Sequence, residues 1–319
     1  MIRFMIWTIA ILLFSGCGGA TSSSQAMPSW YLNSPQNNTT QIYGTGEATN
    51  KKEAINNALA DMSANLIVSV KSKIETTTTN SSSTGYLKDS SKQVITEAKK
   101  ITFTNAKIKN IKNISTSIYV LMSVDREELF RIKKKEFDQE HNFIEQKYNN
   151  IIKRSKMGQI KALIKLEPKL TKAKNKSFVL FAINNRFNYE PYFTKYQNYI
   201  DKIDRLKSKL IISLDSNEIF FYNVIASQLN SQNYRLSKMA PDIRINISNQ
   251  VRYSRARGWH IAKVSSTILA RSGGKLLSTN TINTIGRSSS SRANALNDAS
   301  RQFDDKVKKI GIEKILFEK

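Results

Sequence analysis

The only cysteine of this 319-residue chain, Cys17, follows a short apolar segment that begins after Arg3. A basic residue, an apolar run and small residues at its end are the features of a secretory signal peptide. The run is shorter than the roughly 20 apolar residues that a transmembrane helix needs. A single cysteine permits no internal disulfide, so the folded domains must rely on apolar cores. The hydrophobic content of 40% is sufficient for such cores.

Small residues, Ser15 and Gly16, stand directly before Cys17, and the four residues 14–17 resemble the cleavage box of bacterial lipoproteins. In that family the cysteine thiol is acylated, the chain is cut before the cysteine, and the new amine is acylated too. The resemblance implies palmitate at Cys17 and, since several acyl chains anchor durably, permanent membrane attachment. Gly18 in the next position is similar to the pattern of outer-membrane lipoproteins, with the periplasmic or surface face left open. An ordinary secretory peptide is the alternative.

Composition and hydrophobic periodicity predict an α+β fold in which two small modules flank a helical bundle or arm. Each module is predicted to contain a strand, a helix and three further strands. The predicted parts are the signal peptide (residues 1–16), a tether (17–28), the first module (29–125), the helical region (126–208) and the second module (209–319).

The first module has one helical pattern, which begins at Lys51, and several patterns of alternating apolar residues. Residues 76–84 are polar and predict a loop. The first predicted strand of this module is residues 42–48, and the three further strands are residues 94–103, 106–111 and 118–124. At the end of the helical pattern, residues 66–74 also alternate as a strand does. In the helical region, Pro168 is expected to kink or end the second helix. The predicted strands of the second module are residues 210–214, 243–253, 258–271 and 276–285.

Three short motifs of the first module resemble the Lpp-twenty family of outer-membrane lipoproteins. They are Pro-Ser-Trp-Tyr at residues 28–31, Tyr-Gly-Thr-Gly-Glu-Ala at residues 43–48, and an alanine-rich helix from Ala54 to Asp61. Residues 27–130 are also similar to the N-terminal domain of flagellar assembly protein T. The resemblance implies a membrane-attached protein of the envelope or flagellum without enzymatic activity, and it supplies no catalytic residues.

The charge of the chain is strongly positive and unevenly distributed, with a formal net charge of +25 at pH 7. The first module carries +4, whereas the helical region and the second module carry +10 each. Such a charge predicts an anionic partner. Because export makes nucleic acid an unsuitable partner, lipopolysaccharide, anionic lipid and acidic envelope proteins are left open. A lysine-rich composition that reflects an AT-rich genome is the alternative.

The densest group of basic residues lies in the second module, beside Tyr253 and Trp259. Strand alternation places Arg244 and Arg252 on the same exposed face. Since guanidinium groups suit phosphate and carboxylate, the group predicts an anion-docking surface. A solvated sheet face with protective charge is the alternative. The predicted docking residues are Arg244, Arg252, Arg255 and Arg257.

The sequence contains no pattern that specifies a reaction. Gly44 and Gly46 stand between a strand and a helix, but Thr49 takes the place of the third glycine of a dinucleotide fingerprint. We attribute these glycines to a turn. His141 and His260 have no acidic partners at metal-ligand spacing. The sequence therefore predicts no catalytic residues, no metal and no cofactor.

These observations favour a non-enzymatic outer-membrane lipoprotein that acts as a binding or scaffolding module in the cell envelope. The first alternative is a flagellum-associated accessory lipoprotein, which only the first module suggests. The second is a periplasmic carrier of an apolar or anionic ligand, which two half-buried sheets could shelter. The sequence leaves the specific partner and the oligomeric state open.

Overall fold

A computed structural model describes residues 26–80 and 84–318 of the chain. The predicted signal peptide and Cys17 lie outside the described residues. Contacts group the described chain up to Ile132, together with residues 182–184, into one unit. A second unit contains residues 133–181 and 185 onward. Both units combine helices with a small sheet, so the predicted α+β class is confirmed.

The first unit is built around an antiparallel sheet with the strand order β1-β3-β2. Helix α2 packs on this sheet, and α3 packs on α2. The elements are α1 (Ser29–Leu32), β1 (Gln41–Ala48), α2 (Lys51–Asn80), α3 (Thr84–Lys99), β2 (Lys107–Ile114) and β3 (Ser117–Asp125).

The strands predicted at residues 66–74 and 94–103 are wrong, because these residues belong to helices α2 and α3. Leu66 and Val70 are fully buried, whereas Val68 between them is 63% exposed. Buried positions four residues apart lie on one face of a helix. Because four is a multiple of two, they also lie on one face of a strand. After the short helix α1, the order of the module is therefore one strand, two helices and two strands.

The polar segment predicted as a loop is helical where it is described, at residues 76–80 of α2 and at Thr84, the first residue of α3. Its threonines are compatible with a helix because their hydroxyl groups donate to carbonyl groups one turn back. Thr76 Oγ1 donates to the Ser72 carbonyl over 2.8 Å, and Thr78 Oγ1 donates to the Ile74 carbonyl over 2.9 Å.

Strand β1 approaches α2 so closely that only glycine fits at two of its positions. A Cβ atom on Gly46 would meet the backbone of Ala54 and Ala58, and one on Gly44 would meet Ala58 and Met62. Both glycines lie within the strand and have no positive φ. Our attribution of these glycines to a turn is therefore wrong: close strand–helix packing requires them.

Polar side chains of α2 satisfy the outward peptide groups of β1. Residues 57, 61 and 65 are one turn apart and therefore line one face of the helix. They close a sheet edge that could otherwise pair with another chain. The hydrogen bonds are Asn57 Nδ2 to the Glu47 carbonyl (2.8 Å), the Thr45 amide to Asp61 Oδ2 (2.8 Å), and Asn65 Nδ2 to the Tyr43 carbonyl (3.0 Å).

Replacing Asp61 by alanine should lower the free energy of unfolding by about 1–2 kcal/mol, because the Thr45 amide loses its acceptor. Asp61→Asn retains an oxygen at this position and should lose much less. Urea unfolding followed by circular dichroism measures both variants. Equal losses for alanine and asparagine would contradict a role for the oxygen acceptor.

The second unit contains a helical part and a sheet with the strand order β5-β4-β6-β7-β8. Strand β4 is parallel to β5 and β6, and the remaining pairs are antiparallel. The helices are α4 (Arg126–Ile151), whose first residues belong to the first unit, α5 (Lys156–Ile183), α6 (Glu190–Ser208), α7 (Ile219–Ser231), α8 (Arg292–Ile310) and α9 (Ile312–Phe317). The strands are β4 (Ile211–Ser216), β5 (Arg235–Leu236), β6 (Ile243–Ala256), β7 (Trp259–Ser272) and β8 (Lys275–Ser288).

The predicted elements of the second module are confirmed, including the three long strands. Strict alternation buries Ile243, Ile245 and Ile247 on one face of β6. Helices α7 and α8 contribute to the same core, where the rings of Phe221 and Phe303 lie 5.0 Å apart. In the helical part, Pro168 does not end α5, which continues to Ile183.

The close strand–helix contact of the first unit recurs in the second unit between β8 and α8. A Cβ atom on Gly286 would meet the backbone of Ala295 and Ala299. Polar residues one turn apart on α8 again bond the outward peptide groups of the strand. These bonds are the Arg287 amide to Asp298 (3.0 Å), Gln302 to the Ile285 carbonyl (2.8 Å), and Lys306 to the Asn283 carbonyl (2.6 Å). The closely packed pair is β1 and α2, near the start of the first module, and β8 and α8, near the end of the second.

Candidate functional site

Positive charge is concentrated in the three long strands of the second unit. Residues 243–288 include no aspartate or glutamate. The anionic groups that usually balance surface lysine and arginine are therefore missing from this part of the sequence. The basic residues of the segment are Arg244, Arg252, Arg255, Arg257, Lys263, Arg271, Lys275 and Arg287.

Like charges lie directly opposite each other on the face of the sheet away from α8. Arg252 is the partner of Lys263 in the β6–β7 register, and Arg244 is the partner of Arg271. Directly opposed like charges destabilise a sheet. A bound anion between the strands would reduce this repulsion, so the face is electrostatically suited to an anionic ligand.

The structure brings three of the four predicted docking residues to one end of the sheet. Arg252 and Arg255 lie near the end of β6, and Arg257 lies in the following turn. Arg244 shares the face of Arg252, as predicted, but stands at the opposite end of the strand, about 26 Å away. We define the basic tip as residues 252–259, which contain the three clustered arginines, Tyr253 and Trp259.

A two-residue turn shapes the apex of the basic tip. Arg257 has φ 48° and Gly258 has φ 80°, and the flanking residues Ala256 and Trp259 form the last pair of the hairpin. Positive φ at both central positions is the geometry that matches the twist of paired strands. The turn therefore holds Arg257 at the apex of a fully paired hairpin.

The basic tip is exposed on both faces of the hairpin. Burial alternates regularly along β6 up to Asn249, but every residue from Arg252 to Trp259 is exposed. Trp259 is 48% exposed and Tyr253 is 41% exposed. The Arg292 guanidinium, at the start of α8, lies 5.6 Å from the centre of the Tyr253 ring, which adds a cation beside the tip.

Our sequence reasoning missed three basic residues near this end of the sheet: Lys263, Arg287 and Arg292. Lys263 opposes Arg252, and Arg287 opposes Ile261 on the next pair of strands. The absence of acidic residues from 243–288 is a sequence signal that could have identified the first two. The position of Arg292 over Tyr253 depends on packing of α8, which the sequence does not specify.

The two histidines lie in different surroundings. His260 opposes Arg255 in the hairpin. In the helical part, His141 Nδ1 lies 2.7 Å from the Tyr196 hydroxyl oxygen. Burial lowers the pKa of His141, which favours its neutral form. In residues 26–80 and 84–318, no three His, Cys, Asp or Glu side chains form a group able to hold a metal ion.

A groove of about 550 Å³ lies between α2 and α3 in the first unit. Two isoleucines supply its apolar surface, and lysines of both helices stand at its sides. Such mixed lining could accommodate an amphiphilic ligand. The lining residues are Lys71, Ile74, Glu75, Thr78, Lys88, Ser91 and Ile95.

Comparison with known proteins supports the resemblance found in the sequence. Residues 28–125 match the LPP20 lipoprotein family. The match covers the first sheet module and ends directly before α4. Within the described ranges, no helix has both the length and the apolar character needed to cross a membrane. No curated protein matches the chain.

Two solved structures are similar to parts of the chain. The secreted protein HP1454 from Helicobacter pylori is 15% identical, with 82% of this chain and 94% of that chain covered and a TM-score of 0.44. A minor lipoprotein from Acinetobacter baumannii is 9% identical, with 31% of this chain and 90% of that chain covered and a TM-score of 0.27.

In the LPP20-matching module, the Pro-Ser-Trp-Tyr motif packs against the sheet through Tyr31. The Tyr31 ring lies 4.8 Å from the ring of Tyr119 on β3, edge to face, and its hydroxyl donates to Glu47 over 3.3 Å. Burial and the nearby Glu47 carboxylate raise the pKa of Tyr31. The Pro-Ser-Trp-Tyr motif thus fastens α1 to the sheet.

Proposed function

We propose that the protein is a non-enzymatic lipoprotein, held on the outer membrane by acyl chains on Cys17, that acts as a binding or scaffolding module of the cell envelope. The LPP20 match of residues 28–125 supports the lipoprotein class. Ser15 and Gly16 before the only cysteine support the site of acylation. Attachment at the N-terminus confines the folded units to the membrane surface and raises their effective concentration toward neighbouring molecules.

The observation that carries the binding role is the exclusively basic charge of residues 243–288, with like charges paired across β6 and β7. This arrangement suits an anionic envelope component, either lipopolysaccharide or an acidic protein. Arginine supplies a planar fork of donors that binds phosphate and carboxylate oxygens in pairs. The exposed position of the basic tip leaves these donors available to such a partner.

Changing Cys17 to alanine should abolish incorporation of labelled palmitate, because the variant lacks the thiol that is acylated. It should also leave residues 1–16 attached, since in the lipoprotein family the chain is cut before the acylated cysteine. Labelling in growing cells, followed by mass measurement of the purified protein, tests both effects. Ser24→Ala in the predicted tether is the matched control and should leave both unchanged. Equal labelling of the cysteine variant, or an unlabelled parent protein, would contradict the anchor.

A second candidate function, transport of an amphiphilic ligand, is favoured by the groove between α2 and α3. Native mass spectrometry of the purified protein tests it directly. A stoichiometric bound lipid that is lost on Ile74→Asp, at the groove wall, would support a carrier. A protein of unmodified mass apart from its acyl chains would favour the scaffolding role.

A further inference from the structure

We propose that the basic tip contacts the phosphate-bearing surface of the membrane that holds the protein. In this arrangement Arg252, Arg255 and Arg257 pair with lipid phosphates, while Trp259 and Tyr253 lie at the level of the headgroups. The inference rests on the proposed membrane anchor and gives the molecule a second, reversible attachment point in the β6–β7 hairpin of the second unit.

The charges of the basic tip are available for an external anion. None of the three arginines forms an ion pair with another residue of the described ranges. Guanidinium groups bind phosphate oxygens through two parallel hydrogen bonds. Each basic residue near an anionic membrane surface strengthens attachment about fivefold. Three exposed arginines on eight residues of chain therefore form an effective electrostatic contact.

The aromatic residues distinguish a lipid surface from an acidic protein. Trp259 and Tyr253 combine a large apolar ring with a polar group, and both are about half exposed beside the arginines. Such side chains favour the boundary between lipid headgroups and acyl chains. A projecting hairpin end is convex, whereas small-molecule sites are concave. Its shape and composition together fit a deformable membrane surface.

The basic tip is also preorganised for this contact. Strand pairing continues without interruption from Arg252–Lys263 to Ala256–Trp259, and the turn between them has two residues. A rigid element loses little conformational entropy on binding. Contact with the membrane therefore requires no refolding of the hairpin.

Fluorescence of Trp259 tests the proposal in the acylated full-length protein. Trp30→Phe makes Trp259 the only tryptophan outside the predicted signal peptide. The protein is mixed with vesicles of phosphatidylcholine alone or with phosphatidylglycerol, each containing brominated phosphatidylcholine as a quencher. We expect blue-shifted, quenched emission only with phosphatidylglycerol, reversed by high salt. Because the acyl anchor already holds the protein on the vesicle, Arg252→Gln, Arg255→Gln and Arg257→Gln together should lower the ratio of membrane-bound to free tips about 100-fold, so that quenching is lost.

The matched control removes the same charge elsewhere in the second unit, through Arg301→Gln, Lys309→Gln and Lys314→Gln on exposed positions of α8 and α9, and should retain the response. Unquenched, solvent-exposed Trp259 emission with phosphatidylglycerol vesicles would overturn the proposal, as would equal weakening by both triple variants. Sedimentation of the same samples reports the acyl anchor separately. A protein that fails to sediment with phosphatidylcholine vesicles would contradict the acyl anchor. The quenching of Trp259 with phosphatidylglycerol vesicles would still show whether the basic tip contacts the membrane.

Discussion

Replacing Gly46 with alanine is expected to lower the free energy of unfolding of the first unit by about 3 kcal/mol or more, the upper range for overpacking. The added methyl group would meet the Ala54 carbonyl oxygen and the Ala58 amide of α2. Backbone atoms cannot rotate away as the end of a flexible side chain can, so strand and helix must separate. That separation would also stretch two hydrogen bonds, the one that Asn57 donates to β1 and the one that Asp61 accepts from it.

Urea unfolding followed by circular dichroism, combined with hydrogen exchange of the β1 amides, measures this loss. Gly158→Ala is the matched control, because the same methyl group there lies in helix α5 and faces the movable Ser155 side chain. Alanine favours helix, so the control should be neutral or slightly stabilising. A Gly46→Ala protein as stable as the parent would contradict the close packing. Gly286→Ala should reproduce the loss in the second unit.

Replacing Lys207 with methionine is expected to lower the free energy of unfolding of the second unit by about 3–5 kcal/mol, the usual effect of breaking a buried ion pair. The Lys207 side chain is only 3% exposed, and its amine lies 2.7 Å from a carboxylate oxygen of both Glu167 and Glu313. It thereby connects α6 with α5 and α9. Without it, two carboxylates remain close together in partly buried positions.

The loss should depend on pH in a direction set by the carboxylates. Burial raises the pKa of Glu167 even though Lys207 opposes the shift. A group with a raised folded-state pKa favours folding below its ordinary pKa, near 4.5, and this contribution is lost as pH rises. The Lys207→Met protein should therefore approach the parent at pH 4 and fall behind it at pH 7.

In the parent protein the pKa of Lys207 is also raised, but by hydrogen bonds and not by burial. Burial alone would lower the pKa of Lys207, but hydrogen bonds to Glu167 and Glu313 raise it above its ordinary value. The stabilisation by the charged lysine is then present at neutral pH and is lost only as pH rises through this raised pKa.

Two variants serve as controls for the Lys207 measurement. Lys209→Met removes an exposed lysine two residues away and should change stability by less than about 0.5 kcal/mol. Lys207→Met combined with Glu167→Gln removes one of the uncompensated charges and should recover part of the loss. Equal deficits of Lys207→Met at pH 4 and pH 7 would contradict the electrostatic explanation.

The sequence was sufficient to predict elements with unambiguous periodicity. Apolar and polar side chains alternate over residues 243–253 except at Asn249, a pattern typical of a half-buried strand. The segment around Leu66 and Val70 was ambiguous because buried positions at steps of four fit both periods. The exposure of Val68 shows that the segment is a helix. This exposure could not be deduced from the sequence, because it depends on how α2 packs against the sheet and α3.

The candidate site was predictable in part. The arginines at 252, 255 and 257 are close in sequence and remain close in the hairpin. Arg244 is also an arginine on β6, but it lies eight residues from Arg252 along an extended strand and is therefore far from the cluster. The opposition of Arg252 and Lys263 follows from the register of two strands, which the position of the turn determines. Acylation of Cys17 stays a prediction, since this residue lies outside the described part.

The hydrogen bonds between α8 and β8 have a consequence for self-association. Strand β8 is one of the two edge strands of the second sheet, and side chains of α8, the next helix in the chain, bond its outward peptide groups. Without α8, the outward peptide groups of β8 would have no partners within the sheet. A bare strand edge of this length could pair with the same strand of another copy. By bonding the outward peptide groups of β8, helix α8 therefore protects this edge from pairing with another copy of the chain.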